Sequence, residues 1–435
     1  MTDFTLAAQR PALLKGFDNE FHILAKLKAP EQPEDTRERK PLNLSIVIDR
    51  SGSMSGQPLE EAKKCASMIV NSLKGTDRIS VITYDDNADI IVSSTKAVHK
   101  TEILRAIRRI SSGGMTDLHS GWLLAAEQVA RYKTESSINR VLLLSDGMAN
   151  TGLTDQFEIN SQCSELAETG VTTSTYGLGE DFNERLMVEM GRAGRGQSYY
   201  GQKVEDLEDP FREEFDLLSN TIASKLEIFV EYPDFVKLEL LNNYNGRDPL
   251  WKMPDLAYGG EAWALFKLTI KEGDLQRSGR VDILRSHISY EDINGERKQT
   301  PVRSVRLRPV SENAFGALVE DPIIRTRIQE IRAASLQDIA RDAADRGDWG
   351  AVEYAIKQAE EEAIDNAWIR ENLKSLRRYA AIRERNAFSK EAMYSADKFR
   401  SRLSSSIENS RDYSVDEENI KPMYLRRKEE RGKRM

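Results

Sequence analysis

Short apolar runs alternate with helical patterns from about Leu42 to Ser224. LNLSIVID (Leu42–Asp49) is rich in β-branched residues, which is typical of a strand buried on both faces. The segment after it has apolar residues at helical spacing, with Pro58 in its first turn. Further strand and helix patterns follow, ending in an amphipathic helix at about Leu207–Ile222. The alternation predicts an α/β fold with a doubly wound, mostly parallel sheet and one antiparallel hairpin.

The segments on either side have a different periodicity. EFHILAKLKA (Glu20–Ala29) alternates apolar and polar residues, and five similar runs follow residue 225. These runs predict an antiparallel β-sandwich into which the α/β domain is inserted after one strand. From about Asp321 the pattern is helical, with a hairpin of helices broken at Gly347–Asp348.

This organisation gives five predicted segments. They are an N-terminal segment with the first sandwich strand (1–41), the α/β domain (42–224), the rest of the sandwich (225–312), an all-α C-terminal region (313–410) and a disordered basic tail (411–435).

Composition excludes several function classes. The 435 residues include 63 Lys and Arg against 71 Asp and Glu, a net charge of -8, which argues against a general nucleic-acid binder. Two cysteines cannot form a disulfide framework, and four histidines without an HExxH motif exclude the usual zinc hydrolase. No apolar run is long enough to span a membrane, and no secretory signal is visible at the N-terminus. We therefore expect a cytoplasmic protein that does not bind membranes.

The most informative segment is DRSGSMSG (Asp49–Gly56), directly after the first strand of the α/β domain. A phosphate-binding P-loop would need a Lys, which this loop lacks, and a nucleophile elbow would need Ser where Met54 stands. Asp49, Ser51 and Ser53 instead place one carboxylate and two hydroxyls at the sheet edge where α/β folds bind ligands. An all-oxygen set with little formal charge is suited to Mg²⁺.

The segment resembles the von Willebrand factor A (VWA, integrin I-like) domain of bacterial VWA proteins. Asp-x-Ser-x-Ser is that family's metal-ion-dependent adhesion site, or MIDAS. SGGMTDLHSG and LLLSDGMANTG stand where the family places its metal-binding Thr and its second acidic residue. The resemblance therefore implies a complete MIDAS, made of Asp49, Ser51, Ser53, Thr116 and Asp146.

The resemblance also implies a function. In the family, an Asp or Glu of a protein partner completes the coordination of the cation, and the last helix of the domain moves. We expect the same here with Mg²⁺, or with Mn²⁺ or Ca²⁺, and we expect the helix movement to be transmitted to the β-sandwich. Bacterial relatives work as non-enzymatic scaffolds, or as adaptors of AAA+ ATPases or of Ser/Thr kinases and PP2C-type phosphatases.

Other interpretations remain open. The Asp-Ser-Ser loop alone could be a helix-capping turn, and a metal-dependent hydrolase could use the same cation. A hydrolase would need a base, for which the sequence offers Asp117 and His119, although we expect both to cap and start a helix. Asp85, Asp86 and Asp89 form an acidic cluster that we interpret as solvated turn residues.

Overall fold

The computed structural model describes residues 2–31, 39–145, 149–178, 183–201, 211, 214–215, 217–275, 282–363, 366–401 and 404–405. These residues form two compact units. The outer unit joins residues 2–31 to residues 222–405, and the inserted unit holds residues 39–221. The inserted unit is thus one stretch of chain, whereas the outer unit is built from two. The finer division into five segments stays a prediction.

Before the insertion the chain forms three strands. They are β1 (Asp3–Ala8), β2 (Leu13–Leu14) and β3 (Asn19–Lys28). β1 pairs antiparallel with β3, starting from Asp3 opposite Lys28. The expectation of a single strand before the insertion was therefore wrong. In β1 only Phe4 is fully buried, so this edge strand has too little apolar alternation to stand out in the sequence.

The inserted unit contains a six-stranded sheet in the order β6-β5-β4-β7-β8-β9. Its strands are β4 (Leu42–Asp49), β5 (Arg78–Tyr84), β6 (Ala88–Lys96), β7 (Ile138–Ser145), β8 (Thr172–Leu178) and β9 (Arg195–Gly201). β5 and β6 form the antiparallel hairpin, and all other pairs are parallel. Every residue of β4 and β7 is buried, which explains their continuous apolar runs.

Helices flank these strands in the chain. They are α1 (Gln57–Ser72), α2 (Lys100–Arg108), α3 (Leu118–Arg131), α4 (Gln156–Glu168) and α5 (Glu184–Ala193), with a short 3-10 turn at Gly52–Met54. Asp117, Asp155 and Asn183 cap the last three, because each side chain accepts a hydrogen bond from a first-turn amide. The predicted last helix, Leu207–Ile222, lies partly outside the described residues, and the described residues between 211 and 220 are helical.

The strand order sets the position of any ligand site. β4 lies between β5 and β7, so the chain builds the sheet to one side of β4 and then to the other. Open α/β sheets bind ligands at the carboxyl ends of the strands where the order reverses in this way. The loops after β4 and β7 therefore flank the expected crevice.

The opposite end of the inserted unit is held by a buried ion pair. The Arg39 guanidinium lies 2.5 Å from the Asp77 carboxylate, and Asp77 also accepts from the amide of Leu42 at 2.9 Å. Arg39 additionally lies over the ring of Phe215, 5.7 Å from its centroid. The first described residue of the unit thus contacts its last helix.

After the insertion the outer unit continues with short strands. They are β10 (Thr221–Glu231), β11 (Val236–Leu240), β12 (Gly246–Arg247), β13 (Leu250–Lys252), β14 (Leu256–Ala257), β15 (Gly260–Ile270), β16 (Asp282–Glu291), β17 (Arg297–Gln299), β18 (Arg303–Arg306), β19 (Pro309–Val310) and β20 (Ser404–Ser405). One sheet has the order β1-β3-β15-β11, the other β12-β13-β10-β16-β17. The predicted last run is split into β17 and β18 at Pro301, which lacks the amide needed to continue the ladder.

The two antiparallel sheets share one hydrophobic cluster. Ile23, Leu27 and Phe266 from the first sheet and Ile228 and Ile288 from the second belong to it. The chain leaves the first sheet at the end of β3 and returns as β10 of the second. The inserted unit therefore connects strands of different sheets.

The outer unit also contains helices, most of them in its C-terminal part. They are α6 (Glu272–Leu275), α7 (Glu312–Gly316), α8 (Pro322–Asp345), α9 (Trp349–Glu362), α10 (Ala367–Ala381) and α11 (Arg385–Ser401). α8 packs against both α9 and α11, and α10 contacts the same two helices. The turn between α8 and α9 has Gly347 at φ 74° and Asp348 as the cap of α9. The predicted fold class, an α/β domain followed by an all-α region, is confirmed.

Candidate functional site

Four of the five predicted ligands lie within the described residues. Asp49 is the last residue of β4, and Ser51 and Ser53 lie in the loop after it. Thr116 lies just before α3. Asp146 lies outside the described residues, one position after Ser145, the last residue of β7.

Asp49 is completely buried, and protein donors surround its carboxylate. One oxygen accepts from the Ser51 amide at 2.8 Å, and the other accepts from the Tyr84 and Ser145 hydroxyls at 3.1 and 3.0 Å. Burial raises the pKa of the Asp49 carboxyl above its ordinary value, while these hydrogen bonds act in the opposite direction. The side chain is therefore fixed in one orientation at the sheet edge.

The two serine hydroxyls are neighbours. Ser51 Oγ lies 3.0 Å from Ser53 Oγ. Two adjacent ligands of an octahedral Mg²⁺, each about 2.1 Å from the ion, are about 3.0 Å apart. The spacing of the hydroxyls is therefore that of two neighbouring positions around such a cation.

The loop that carries Thr116 is attached to the Asp-Ser-Ser loop through the backbone. The Gly113 amide donates to the Arg50 carbonyl at 2.7 Å, and the Gly52 amide donates to the Gly114 carbonyl at 2.8 Å. Thr116 itself is buried. Two parts of the predicted site, distant in sequence, are thus brought together.

The loop after β7 joins the same arrangement. The Thr116 amide donates to the Asn150 side chain at 2.9 Å, and the Asn150 amide donates to the Thr116 carbonyl at 3.2 Å. Gly152, at φ 71°, leaves space for Asp117, since a Cβ there would lie 2.4 Å from the Asp117 carboxylate. All three predicted loops therefore meet at one edge of the sheet.

Several residues of the site were missed by the sequence analysis. Tyr84 and Ser145 bind Asp49, and Gly121 makes room for Tyr84, because a Cβ there would lie 2.5 Å from the tyrosine ring. Tyr84 lies opposite Asp49 in the parallel pairing of β4 and β5. Tyr84 ends β5 just as Asp49 ends β4, and the two strands were predicted to be parallel. This common position at the strand ends was the signal in the sequence.

The interpretation of the acidic cluster as solvated turn residues was wrong for Asp85, whereas Asp86 and Asp89 are exposed. Asp85 is buried and lies 3.1 Å from the Arg50 guanidinium, which also pairs with Asp89 at 2.7 Å. Asp86 accepts from the Met115 amide at 3.1 Å. The turn packs against the Thr116 loop because two glycines there leave space for it.

The two candidate bases have structural contacts. Asp117 caps α3, accepting from the Ser120 amide at 3.1 Å and from the Ser120 hydroxyl at 2.7 Å. His119 Nε2 lies 2.8 Å from the Gln162 side chain on α4. Both belong to the start of α3, as the sequence analysis expected.

The donor set fits a hard cation bound by oxygen. The three candidate ligands in the Asp-Ser-Ser loop, Asp49, Ser51 and Ser53, offer one carboxylate and two hydroxyls and no thiol or imidazole. Within the described ranges, no group of three or more His, Cys, Asp or Glu residues could hold a metal. No helix in the described part of the chain is long and apolar enough to cross a membrane.

Comparison with known proteins matches most of the inserted unit to a family. Residues 43–213 match the family described as the von Willebrand factor type A domain. The Escherichia coli (strain K12) protein YfbK is 31% identical over 216 residues, which are 49% of this chain and 38% of YfbK. The match thus spans well under half the length of that relative.

Two solved structures are similar over most of the chain. A von Willebrand factor type A protein from Catenulispora acidiphila has a TM-score of 0.73 at 15% identity, covering 92% of this chain and 96% of that one. The ArnB paralog VWA2 from Sulfolobus acidocaldarius has a TM-score of 0.64 at 17% identity, covering 91% and 97%. At these identities the similarity establishes the fold alone.

Proposed function

We propose that the VWA domain formed by residues 43–213 binds a divalent cation at Asp49, Ser51, Ser53, Thr116 and Asp146, and through it a carboxylate of a protein partner. The protein is then a binding or scaffold protein without a catalytic step. Mg²⁺ is the expected cation, and Mn²⁺ and Ca²⁺ are alternatives. VWA domains mediate protein–protein interactions, which is the general ground for a protein partner.

The pair of serine hydroxyls beside a buried carboxylate is the observation that carries the proposal. Two other buried carboxylates have a guanidinium partner, since Asp77 pairs with Arg39 and Glu214 pairs with Arg140. Among the described residues, no Lys or Arg lies within ion-pair distance of Asp49, whose partners are hydroxyls and an amide. A buried charge without a counter-charge is costly, and a bound cation would supply it.

A cation in this crevice would attract a carboxylate strongly. Two unit charges 4 Å apart attract by about 4 kcal/mol at an effective dielectric constant of 20, against about 1 kcal/mol in bulk water. The carboxylates, hydroxyls and waters around the cation would leave at least one position to a ligand from outside. AAA+ ATPases and kinase or phosphatase systems are candidate sources of that ligand, and no residue selects among them.

Hydrolysis with the same cation is less well supported. A base has to be within hydrogen-bond reach of the attacking water. Asp117 is engaged by the first turn of α3 and His119 by Gln162. These contacts give both residues a structural role.

The proposal is tested with Mn²⁺ as a spectroscopic probe on the full chain. Titration calorimetry should show one Mn²⁺ site, and Asp49→Asn should weaken it by about 10- to 100-fold, since it removes the charge and keeps the shape. A short peptide with a single Asp should displace water from the bound Mn²⁺, lowering water-proton relaxivity, whereas the Asn peptide should not.

Asp234→Asn is the matched control, because Asp234 is an exposed turn residue of the outer unit. It should bind Mn²⁺ like the wild type. Equal Mn²⁺ affinity in Asp49→Asn would refute the cation site. Mn²⁺ binding without any effect of the Asp peptide would refute the carboxylate ligand.

A further inference from the structure

The acidic turn between β5 and β6, residues Asp85–Asn87, contacts the loop that carries Thr116. The Met115 amide donates to Asp86 Oδ1 at 3.1 Å, and the Asp117 amide donates to the Asp85 carbonyl at 2.8 Å. Asp85 also accepts from the amide of Gly114. The residues on both sides of Thr116 are therefore held by this turn.

Two glycines are required for this contact. A Cβ at Gly113 would lie 1.9 Å from an Asp85 carboxylate oxygen, and a Cβ at Gly114 would lie 1.8 Å from one of Asp86. Both distances are far below any van der Waals contact, so the two carboxylates occupy the space that side chains would take. The Gly-Gly pair thus serves the close approach of the acidic turn.

The same turn also holds the other loop of the site. Arg50, between Asp49 and Ser51, donates its amide to the Tyr84 carbonyl at 2.9 Å and pairs with Asp85 through its side chain at 3.1 Å. Its carbonyl accepts from Gly113 at 2.7 Å. Arg50 also pairs with Asp89, so its positive charge is neutralised by two carboxylates. The contacts of the turn with Arg50 are therefore structural.

We propose that Asp86, supported by Asp85, is a positioning residue for the cation site. It holds Met115, and thereby Thr116, at a fixed place relative to Ser51 and Ser53, and it does not itself contact the cation. The proposal rests on the proposed function of the site, and it assigns a role to a fourth loop at the sheet edge.

The test compares four variants of the full chain: Asp86→Ala, Asp86→Asn, Gly114→Ala and the Asp86→Ala/Gly114→Ala double variant. Residues that orient metal ligands change metal affinity by about 10- to 100-fold when removed. Asp86→Ala should weaken Mn²⁺ binding about tenfold, and Asp86→Asn, which keeps the acceptor oxygen, should stay within about threefold of wild type. Gly114→Ala should weaken binding as Asp86→Ala does, and the double variant should be no worse than either.

Hydrogen exchange of the Met115 amide in the metal-free protein gives a second measurement. Asp86→Ala should speed this exchange, and Asp86→Asn should not. Asp234→Ala, a turn residue outside the inserted unit, is the control for both measurements. If Asp86 has no positioning role, Asp86→Ala should leave both the exchange rate of the Met115 amide and the Mn²⁺ affinity unchanged.

Wild-type Mn²⁺ affinity together with unchanged exchange in Asp86→Ala would overturn the proposal, as would additive losses in the double variant. If the wild type binds no Mn²⁺, the proposed function fails on its own. The exchange measurement still decides in that case whether Asp86 holds the Thr116 loop, because faster Met115 exchange only in Asp86→Ala supports this contact and equal rates overturn it.

Discussion

At the scale of single residues, the positions of the candidate ligands could be predicted, and the side chains that hold Asp49 in place could not. Asp49, Ser51 and Ser53 stand at fixed spacing after an apolar strand, so their place followed from the pattern. Tyr84 and Ser145, which hold Asp49, are common residues at strand ends and carry no motif. Their role arises from strand register, which a single sequence does not specify.

His22 illustrates a residue whose role only the packed structure reveals. It is buried on β3, and its Nδ1 lies 3.0 Å from the Gln9 side chain. Burial lowers the pKa of His22 to about 4, with the charges of Arg332 and Lys267 acting in the same direction. The folded protein therefore holds this side chain neutral at a pH where the unfolded chain, with a pKa of about 6.5, is protonated.

This difference makes stability depend on pH. A lowered folded-state pKa contributes stability that is present above about pH 6.5 and is lost as the pH falls toward about 4. The unfolding free energy changes through this group by at most about 1.4 kcal/mol per pH unit. His22→Gln should flatten this part of the stability profile in urea unfolding at pH 4 to 7, whereas His99→Gln, at an exposed position, should not. Parallel profiles of wild type and His22→Gln would contradict the assignment.

At the scale of elements, helices and central strands were predicted closely because their periodicity is strong. The helical pattern predicted from about Asp321 corresponds to α8, which begins at Pro322. The acidic turn was misinterpreted because its partners, Gly113 and Gly114, lie far along the chain. Two adjacent glycines before Thr116 were a visible sign that another group approaches the backbone closely.

The packing of α3 on β5 leads to a prediction. Gly121→Ala would place a methyl group 2.5 Å from the ring of Tyr84, which is completely buried. Overpacking of this kind costs about 1–3 kcal/mol of unfolding free energy. It should also weaken Mn²⁺ binding, because a displaced Tyr84 no longer donates to Asp49.

Gly350→Ala is the control for this variant. A Cβ at Gly350, on α9, meets only Asp348 at an ordinary 3.6 Å. A stabilisation of about 0.4–1 kcal/mol is expected there. Urea unfolding measures both effects. An unchanged unfolding free energy in Gly121→Ala would show that the Tyr84 ring can move without destabilising the protein.

At the scale of the whole molecule, the insertion was predicted from the pattern of strands before and after the α/β domain. The structure agrees that residues 39–221 form one compact unit and that the chain on both sides forms another. The short strands β12–β14, β19 and β20 were not predicted, since two or three residues are too few to show a period.

The two units should respond differently to cations. A ligand at 100 times its dissociation constant stabilises the folded state by about 2.7 kcal/mol, which shifts the unfolding midpoint of a domain of this size by about 5–10 °C. Saturating Mg²⁺ should raise one transition in calorimetry and leave the other in place, and Asp49→Asn should abolish the shift. Equal shifts of both transitions would show that the units do not unfold independently.

The contact of Arg39 with Asp77 and Phe215 has a consequence for how the outer unit assembles. It fixes the beginning of the inserted unit against its last helix, so the two ends cannot separate while the unit is folded. The entropy lost on closing a loop depends on the length of flexible chain between its ends. Once the inserted unit is folded, the entropy lost on bringing the outer strands together is therefore close to that for a short linker. The outer strands can then pair almost as if they were neighbours in sequence.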